Sequence, residues 1–293
     1  MNIYLYMIKT KNIFFIALFV FVFIFVYYYE LMLNDIILSN QLILSNELIL
    51  SNQLILSNQL PQQKIFIIYY VFINPNNNWK EIIIGQFNDI KDSGMIFNTF
   101  HNINLEIILS SCYINIINEA ITITNDFFKD ISFNKYNIII VNDNLYEYPG
   151  ISHLYTKGLE NEDALIVYLH SKGISFHNNI GRIKSNIILT QYMLFFWGKI
   201  INIFNNKKHI NKITLTFSQT GFAWFNFFWV RGSYLKKCNK PIITNDRYYY
   251  ETWLGSLENS SYTDCYNLLS PNVNYYNSEK AIQYLINLEK YKL

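Results

Sequence analysis

Two short polar runs interrupt otherwise apolar stretches: Asn142-Asp143-Asn144 follows NIIIV, and His170-Ser171-Lys172-Gly173 follows ALIVYL. In the second run Lys172 offers a compact positive charge, Gly173 lets a backbone approach closely, and His170 can bind an anion or a metal. The competing reading is a turn of solvated polar residues at a strand end. Asp143 carries the hard oxygens that Mg or Mn prefers, or else bonds its own backbone as Asx residues do in loops. Arg182 suits either an anion clamp or a solvated helix face. Glu251, within DRYYYETWLG, can take a proton from a hydroxyl, or can pair with Arg247 one turn earlier on a helix surface. Asn226, Trp229 and Trp253 offer hydrogen bonds and flat rings for stacking, or equally the contents of a packed core.

The elements that must position these residues follow from apolar patterning. Lys64–Ile73 (KIFIIYYVFI), Leu105–Leu109, Asn137–Val141 and Ala164–Leu169 are short runs rich in Ile, Val, Leu and aromatics, which predict buried strands. Between them, WKEIIIGQFNDIKDSG predicts a helix capped by Asn78, beginning at Trp79 and stopped by Gly94, and a second helix is predicted over Ile114–Phe128. A long amphipathic helix is predicted from about Ile180 to Phe204. A further strand at Ile213–Phe217 and short helices near Ser233–Cys238 and Tyr248–Gly255 complete the pattern. Strands apolar throughout, alternating with helices, predict an α/β fold: a mixed sheet covered on both faces. Ligands of open α/β sheets bind outside the carboxyl ends of strands, which is where both polar runs fall.

Ahead of this domain, Ile13–Tyr29 is seventeen residues without charge, Pro or Gly, preceded by Lys9 and Lys11 and ending in three tyrosines. It predicts a membrane-spanning anchor after a cytoplasmic tail of residues 1–12. The charge bias puts the rest of the chain across the membrane, a single-pass type II layout with its domain lumenal or external. A cleaved signal is the alternative, but bulky YYYELML follows where small residues would be needed. The hexapeptide repeat IILSNQ-LILSNE-LILSNQ-LILSNQ, over Ile36–Gln59, has neither a heptad nor a fixed helical face, so residues 30–61 read as a stem and 62–293 as the domain. A few turns of β-helix are the competing reading of the repeat. A net charge of +2 points to no nucleic-acid partner. Cys112, Cys238 and Cys265 have neither metal-site spacing nor an even count, so buried thiols are expected, with one disulfide open. The sequon Asn259-Ser260-Ser261 fits a lumenal domain. No Gly-x-Ser-x-Gly is present, which removes the main support for a hydrolase.

Several groups of residues, taken in order, also carry a resemblance. They are Trp79-Lys80-Glu81 with Ser93-Gly94, Glu147-Tyr148-Pro149-Gly150, Tyr168-Leu169-His170-Ser171-Lys172-Gly173, Asn226-Phe227-Phe228-Trp229-Val230-Arg231 with Tyr234-Leu235, and Arg247 with Glu251 and Trp253. Together they resemble a glycosyltransferase family of bacteria, algae and large DNA viruses, similar in its His-x-Lys element to rhamnan-synthesis F-type proteins. The resemblance covers roughly Lys64 to Leu257. It implies a GT-A-like fold and transfer of a sugar from a nucleotide-sugar donor to a glycan or protein acceptor. It further implies that His170, Lys172, Gly173 and Arg182 bind the donor diphosphate, with Mn or Mg as a possible cofactor at Asp143. Glu251 would then be the catalytic base, and Asn226, Trp229, Trp253 and Arg247 would hold acceptor or sugar. Phe222-Ala223-Trp224-Phe225 stands where the family usually has His-x-Ser-Gly, and no Asp-x-Asp is present. Those departures favour the alternative of a non-catalytic glycan-binding or structural membrane protein of the same fold.

Overall fold

The computed structural model describes residues 62–171, 180–257 and 260–290, and for 180–185, 247, 289 and 290 it describes the backbone only. The expected anchor, the repeat stem, Lys172, Gly173 and Asn259 lie outside the described residues. Among those described, no single helix is long and apolar enough to cross a membrane.

The chain begins with β1 (Lys64–Phe72), α1 (Trp79–Asp92), β2 (Asn102–Ser110), α2 (Ile114–Asp130), β3 (Tyr136–Val141), α3 (Tyr148–Glu160) and β4 (Leu165–His170). It continues with α4 (Ile180–Phe195), α5 (Trp197–Asn206), β5 (Lys212–Thr214), β6 (Phe228–Arg231), α6 (Gly232–Leu235), α7 (Arg247–Thr252), β7 (Cys265–Asn267) and α8 (Ser278–Lys290). The seven strands form one mixed sheet in the order β3-β2-β1-β4-β6-β5-β7. Strands β1 to β4 are mutually parallel, and β6 runs antiparallel to both of its neighbours.

Alternation along β1 shows why its sequence is apolar throughout. Ile65, Ile67, Tyr69 and Val71 enter the core under α1, α4 and α5, while Phe66, Ile68 and Tyr70 enter the core under α3 and α6. Both faces are therefore dry, as a parallel strand with crossover helices on each side requires. Gly94 sits at φ 68° beyond α1, the left-handed stop expected there. Asn78 stands at the helix start, but its side chain makes no capping bond and instead donates to Glu81 Oε2 at 3.2 Å.

Several expectations need correction. The predicted 180–204 helix is two helices, bent by 57° across Phe196. A straight helix of that length would run about 37 Å. The bend instead turns Trp197, Ile200, Ile201 and Phe204 into the core, and Trp197 Nε1 donates to Ser93 O at 3.2 Å. The strand predicted at Ile213–Phe217 stops at Thr214, and Phe217 only bridges to Ala223. Four elements, α3, β6, β7 and α8, lie in segments that their local pattern did not mark. The three cysteines are free, and Cys112 is exposed rather than buried.

Candidate functional site

The connection from β1 runs outward on one side to β2 and β3, and the chain then returns to lay β4 on β1's other side. In open α/β sheets such a reversal, outside the carboxyl ends of the strands, is where ligands bind. His170 is the last residue of β4 and pairs with Tyr70 of β1, and beyond it Ser171 N donates to Tyr70 O at 2.9 Å. The Ser171 hydroxyl accepts from Phe72 N at 3.1 Å, which ties the two strand ends together. Gln86, buried on α1, donates to His170 O at 3.2 Å and to Thr190 Oγ1 at 3.0 Å, and accepts from Tyr69 Oη. The backbone on which His170 stands is thus fixed from three sides.

Two further segments converge on the imidazole. Glu147 immediately precedes α3, whose second residue is Pro149, a residue suited to a helix start because it lacks the N–H that would go unpaired there. Gly150 brings that helix end close to the sheet: a Cβ on it would meet Tyr168 Oη at 2.6 Å and Tyr70 Cβ at 2.7 Å. Asn226 arrives from the other direction, just ahead of β6. Phe225 and Asn226 both adopt left-handed backbone, φ 69° and 60°. Asn tolerates that region and Phe does not, so the turn stores strain where the side chains meet.

The contacts define one cluster. His170 Nε2 lies 3.0 Å from Phe225 O, and since a carbonyl only accepts, Nε2 carries the proton and donates. Nδ1 then faces Glu147 Oε1 at 3.6 Å. Asn226 Nδ2 donates to Glu147 Oε2 and, more weakly, to Tyr250 O at 3.4 Å. Tyr168 Oη lies 3.5 Å from Glu147 Oε2. Burial, and the nearby Glu147 carboxylate, push the phenols of Tyr70 and Tyr168 well above their ordinary range, so both remain neutral donors. Tyr70 Oη donates to Tyr146 O, fixing the loop that delivers Glu147. Asn226 is 1% exposed, yet its Oδ1 accepts no hydrogen bond from the described residues. A buried acceptor left open in this way has room for one more donor.

Of the residues singled out by sequence, His170 and Asn226 meet here. Glu147 and Tyr168 join them although neither was expected as a site residue; the signal in the chain was Glu147's place before Tyr148-Pro149, a helix start. Glu251 is half-buried on α7, next to Tyr250, and bonds to none of the cluster among the described residues. Arg182 lies in the first turn of α4 and Arg247 opens α7. Trp229 and Trp253 belong to the core. Trp229 is fully buried with Nε1 donating to Met193 O at 2.8 Å, and Trp253 is buried with Nε1 donating to Asn239 O at 2.9 Å. Neither ring has a face left for a sugar.

Asp143 lies in the loop beyond β3. It is exposed, its Oδ1 accepts from Asn144 N at 2.7 Å, and its carbonyl accepts from Ser110 Oγ at 2.6 Å. This is the local Asx bonding of a loop. Among the described residues no three His, Cys, Asp or Glu side chains converge as ligands. No protein-family model matches the chain, and no curated protein matches it.

Proposed function

We propose that the chain is a membrane-anchored glycosyltransferase with a GT-A-like domain, in which the crevice at the ends of β1 and β4 takes a nucleotide-sugar. The observation that carries this reading is the Glu147–His170–Asn226 cluster, with His170 and Asn226 buried, at the point where the strand order reverses. The resemblance of the Tyr168–Gly173 and Asn226–Arg231 runs to a glycosyltransferase family supports it. The anchor at Ile13–Tyr29 would hold the domain on the lumenal or external side.

In the transfer, the acceptor oxygen forms a bond to the anomeric carbon as that carbon's bond to the diphosphate breaks. The hydroxyl proton passes to a carboxylate, and the nucleoside diphosphate leaves with the bonding electrons. Glu147 is engaged by Asn226, Tyr168 and His170, so it acts as a positioning residue for His170 and Asn226. The base is Glu251, which the cluster leaves unengaged. Lys172 and Arg182 balance the charge of the leaving diphosphate, while His170, held between Phe225 O and Glu147, anchors the end of β4 two residues before Lys172. Asn226 Oδ1 accepts from a sugar hydroxyl.

The test is nucleoside diphosphate release by the full chain in detergent, across a panel of donor sugars, with and without Mn or Mg. Lys172→Ala should abolish release. Glu251→Gln should lower kcat by about 10²–10⁴-fold with little change in KM. Glu147→Gln should raise donor KM as well. If no donor binds or turns over, the proposal fails. Binding of the chain to a glycan array without donor turnover would favour the non-catalytic reading, which the Phe222–Phe225 departure supports.

A further inference from the structure

The segment between α6 and α7 presents two adjacent apolar side chains to solvent, Ile242 at 58% exposure and Ile243 at 61%. Isolated exposed apolar residues are ordinary, but these two are held outward by a fixed backbone. Trp253 Nε1 binds Asn239 O at the start of the loop. Tyr250 Oη donates to Ile242 O at 3.2 Å and accepts from Thr244 N at 3.1 Å, and Ile242 N points to Tyr249 Oη at 3.4 Å. At the far end Asp246 N donates to Thr244 Oγ1, and the Asp246 carboxylate caps α7. Three aromatic side chains therefore spend their polar atoms keeping this loop in one shape, and that shape does not bury its isoleucines. Exposed Lys237 and Lys240 precede the pair, and exposed Tyr248 follows it.

Apolar tips, flanking lysines and a tyrosine are the composition that settles at a bilayer interface, with the apolar groups among the acyl chains and the cations at the headgroups. We infer that the Lys237–Tyr248 loop is a membrane-docking surface that takes an anionic lipid headgroup layer. The loop is tied to the candidate site, since Tyr250, which pins Ile242 and Thr244, also offers its carbonyl to Asn226. Docking would therefore set the crevice at a fixed height over the membrane. A bilayer is favoured over a protein partner because lysines border the apolar pair, whereas the centres of protein interfaces are depleted in charge.

The test uses the full chain in vesicles of phosphatidylcholine alone, or of equal parts phosphatidylcholine and phosphatidylserine. A nitroxide is placed at Ile243→Cys in a Cys112→Ser background, which removes the exposed native thiol. A reference label sits at Ile282→Cys on α8, an exposed position elsewhere on the domain. Relaxation by oxygen, which partitions into the bilayer, is compared with relaxation by a water-soluble nickel chelate. The expected result is an oxygen-to-nickel ratio severalfold higher at 243 than at 282 in the anionic vesicles. The ratio should fall in neutral vesicles and with Lys237→Glu plus Lys240→Glu. Equal ratios at both positions in both vesicles overturn the inference. Protection of the 243 label in detergent before vesicles are formed, rising with protein concentration, also overturns it and marks a contact between copies of the chain. Neither readout requires turnover, so this result stands apart from the fate of the glycosyltransferase reading.

Discussion

At the scale of single residues, Asn226 decides whether the cluster is electrostatically tolerable. Its Nδ2 gives Glu147 a hydrogen bond in a place where Asn226 itself is almost wholly buried. Asn226→Ala removes that donor and should cost about 1.5–3 kcal/mol, the usual range for a bond to a charged group. Asn226→Asp keeps the shape but sets a second carboxylate against Glu147, and two such groups cannot both ionise there cheaply. Its deficit at neutral pH should match or exceed that of the alanine variant. On acidification the aspartate variant should recover, as one proton comes to be shared between the carboxylates, while the alanine variant should not. Melting temperatures of both variants from neutral to acidic pH check this. Parallel pH profiles for the two would show that Asn226 does not face an ionised Glu147.

At the scale of elements, the same substitution should have opposite signs in two helices. Gly85 on α1 is exposed, and a Cβ there would meet nothing within 4 Å. Gly85→Ala should therefore stabilise the chain by up to about 1 kcal/mol through helix propensity alone. Gly150 on α3 gains the same propensity, but its Cβ would enter Tyr168 Oη and the Tyr70 side chain, so Gly150→Ala should destabilise by about 1–3 kcal/mol. It should also impair the site disproportionately, because α3 must withdraw and take Glu147 with it. Thermal melts of the two variants, and donor KM of the second, provide the check. The four parallel strands and the first two helices were legible from apolar patterning; β1, β2 and β4 are buried on both faces, whereas β3, equally apolar in sequence, is a partly exposed edge strand with Ile140 46% exposed. Helix α3 was not: YPGISHLYTKGLE mixes Pro, Gly and β-branched residues, and its helicity comes from packing on β1 and β4. Strand β6 went unseen because its aromatic residues read equally well as a ligand platform, and only pairing with β4 and β5 puts Trp229 inside. His170 and Asn226 could be nominated by chemistry. Their meeting with Glu147 spans 79 positions of chain and depends on strand order, which no local window contains.

At the scale of the whole molecule, buried titratable groups bracket the pH range in which the fold is stable. His101 is buried, Nδ1 accepts from Gln63 N at 3.1 Å, and burial holds its pKa below the ordinary 6.5. The unfolded chain therefore takes up the proton first, and stability erodes as pH falls below 6.5 towards the folded value. Glu106 adds a second acid limb. Its burial works to raise the carboxyl, but His153, Asn137 and Lys157 together outweigh that and hold it below the ordinary 4.5. Its contribution is full above 4.5 and is lost as pH falls through the folded value. On the alkaline side, burial pushes the Cys238 thiol up to about 12, against an ordinary 9.0. The unfolded chain loses that proton first, so stability declines above 9. Lys212 acts in the same direction at higher pH. Burial opposes its charge, but Cys265, Tyr234 and Asp264, the last 3.1 Å away, raise it above 10.5, and its contribution is lost as pH rises through the folded value. The melting temperature of the full chain in detergent should thus be highest between about pH 6.5 and 9, with each group adding at most about 1.4 kcal/mol per pH unit outside that window. His101→Asn, which keeps an acceptor for Gln63 N, should flatten the limb just below 6.5 while leaving the one below 4.5. Cys238→Ala should lessen the slope just above 9, which burial of the Cys265 thiol also supports, at a constant cost at neutral pH. If neither variant changes the shape of the curve on its own side, the bracket is set by other groups and this account of it is wrong.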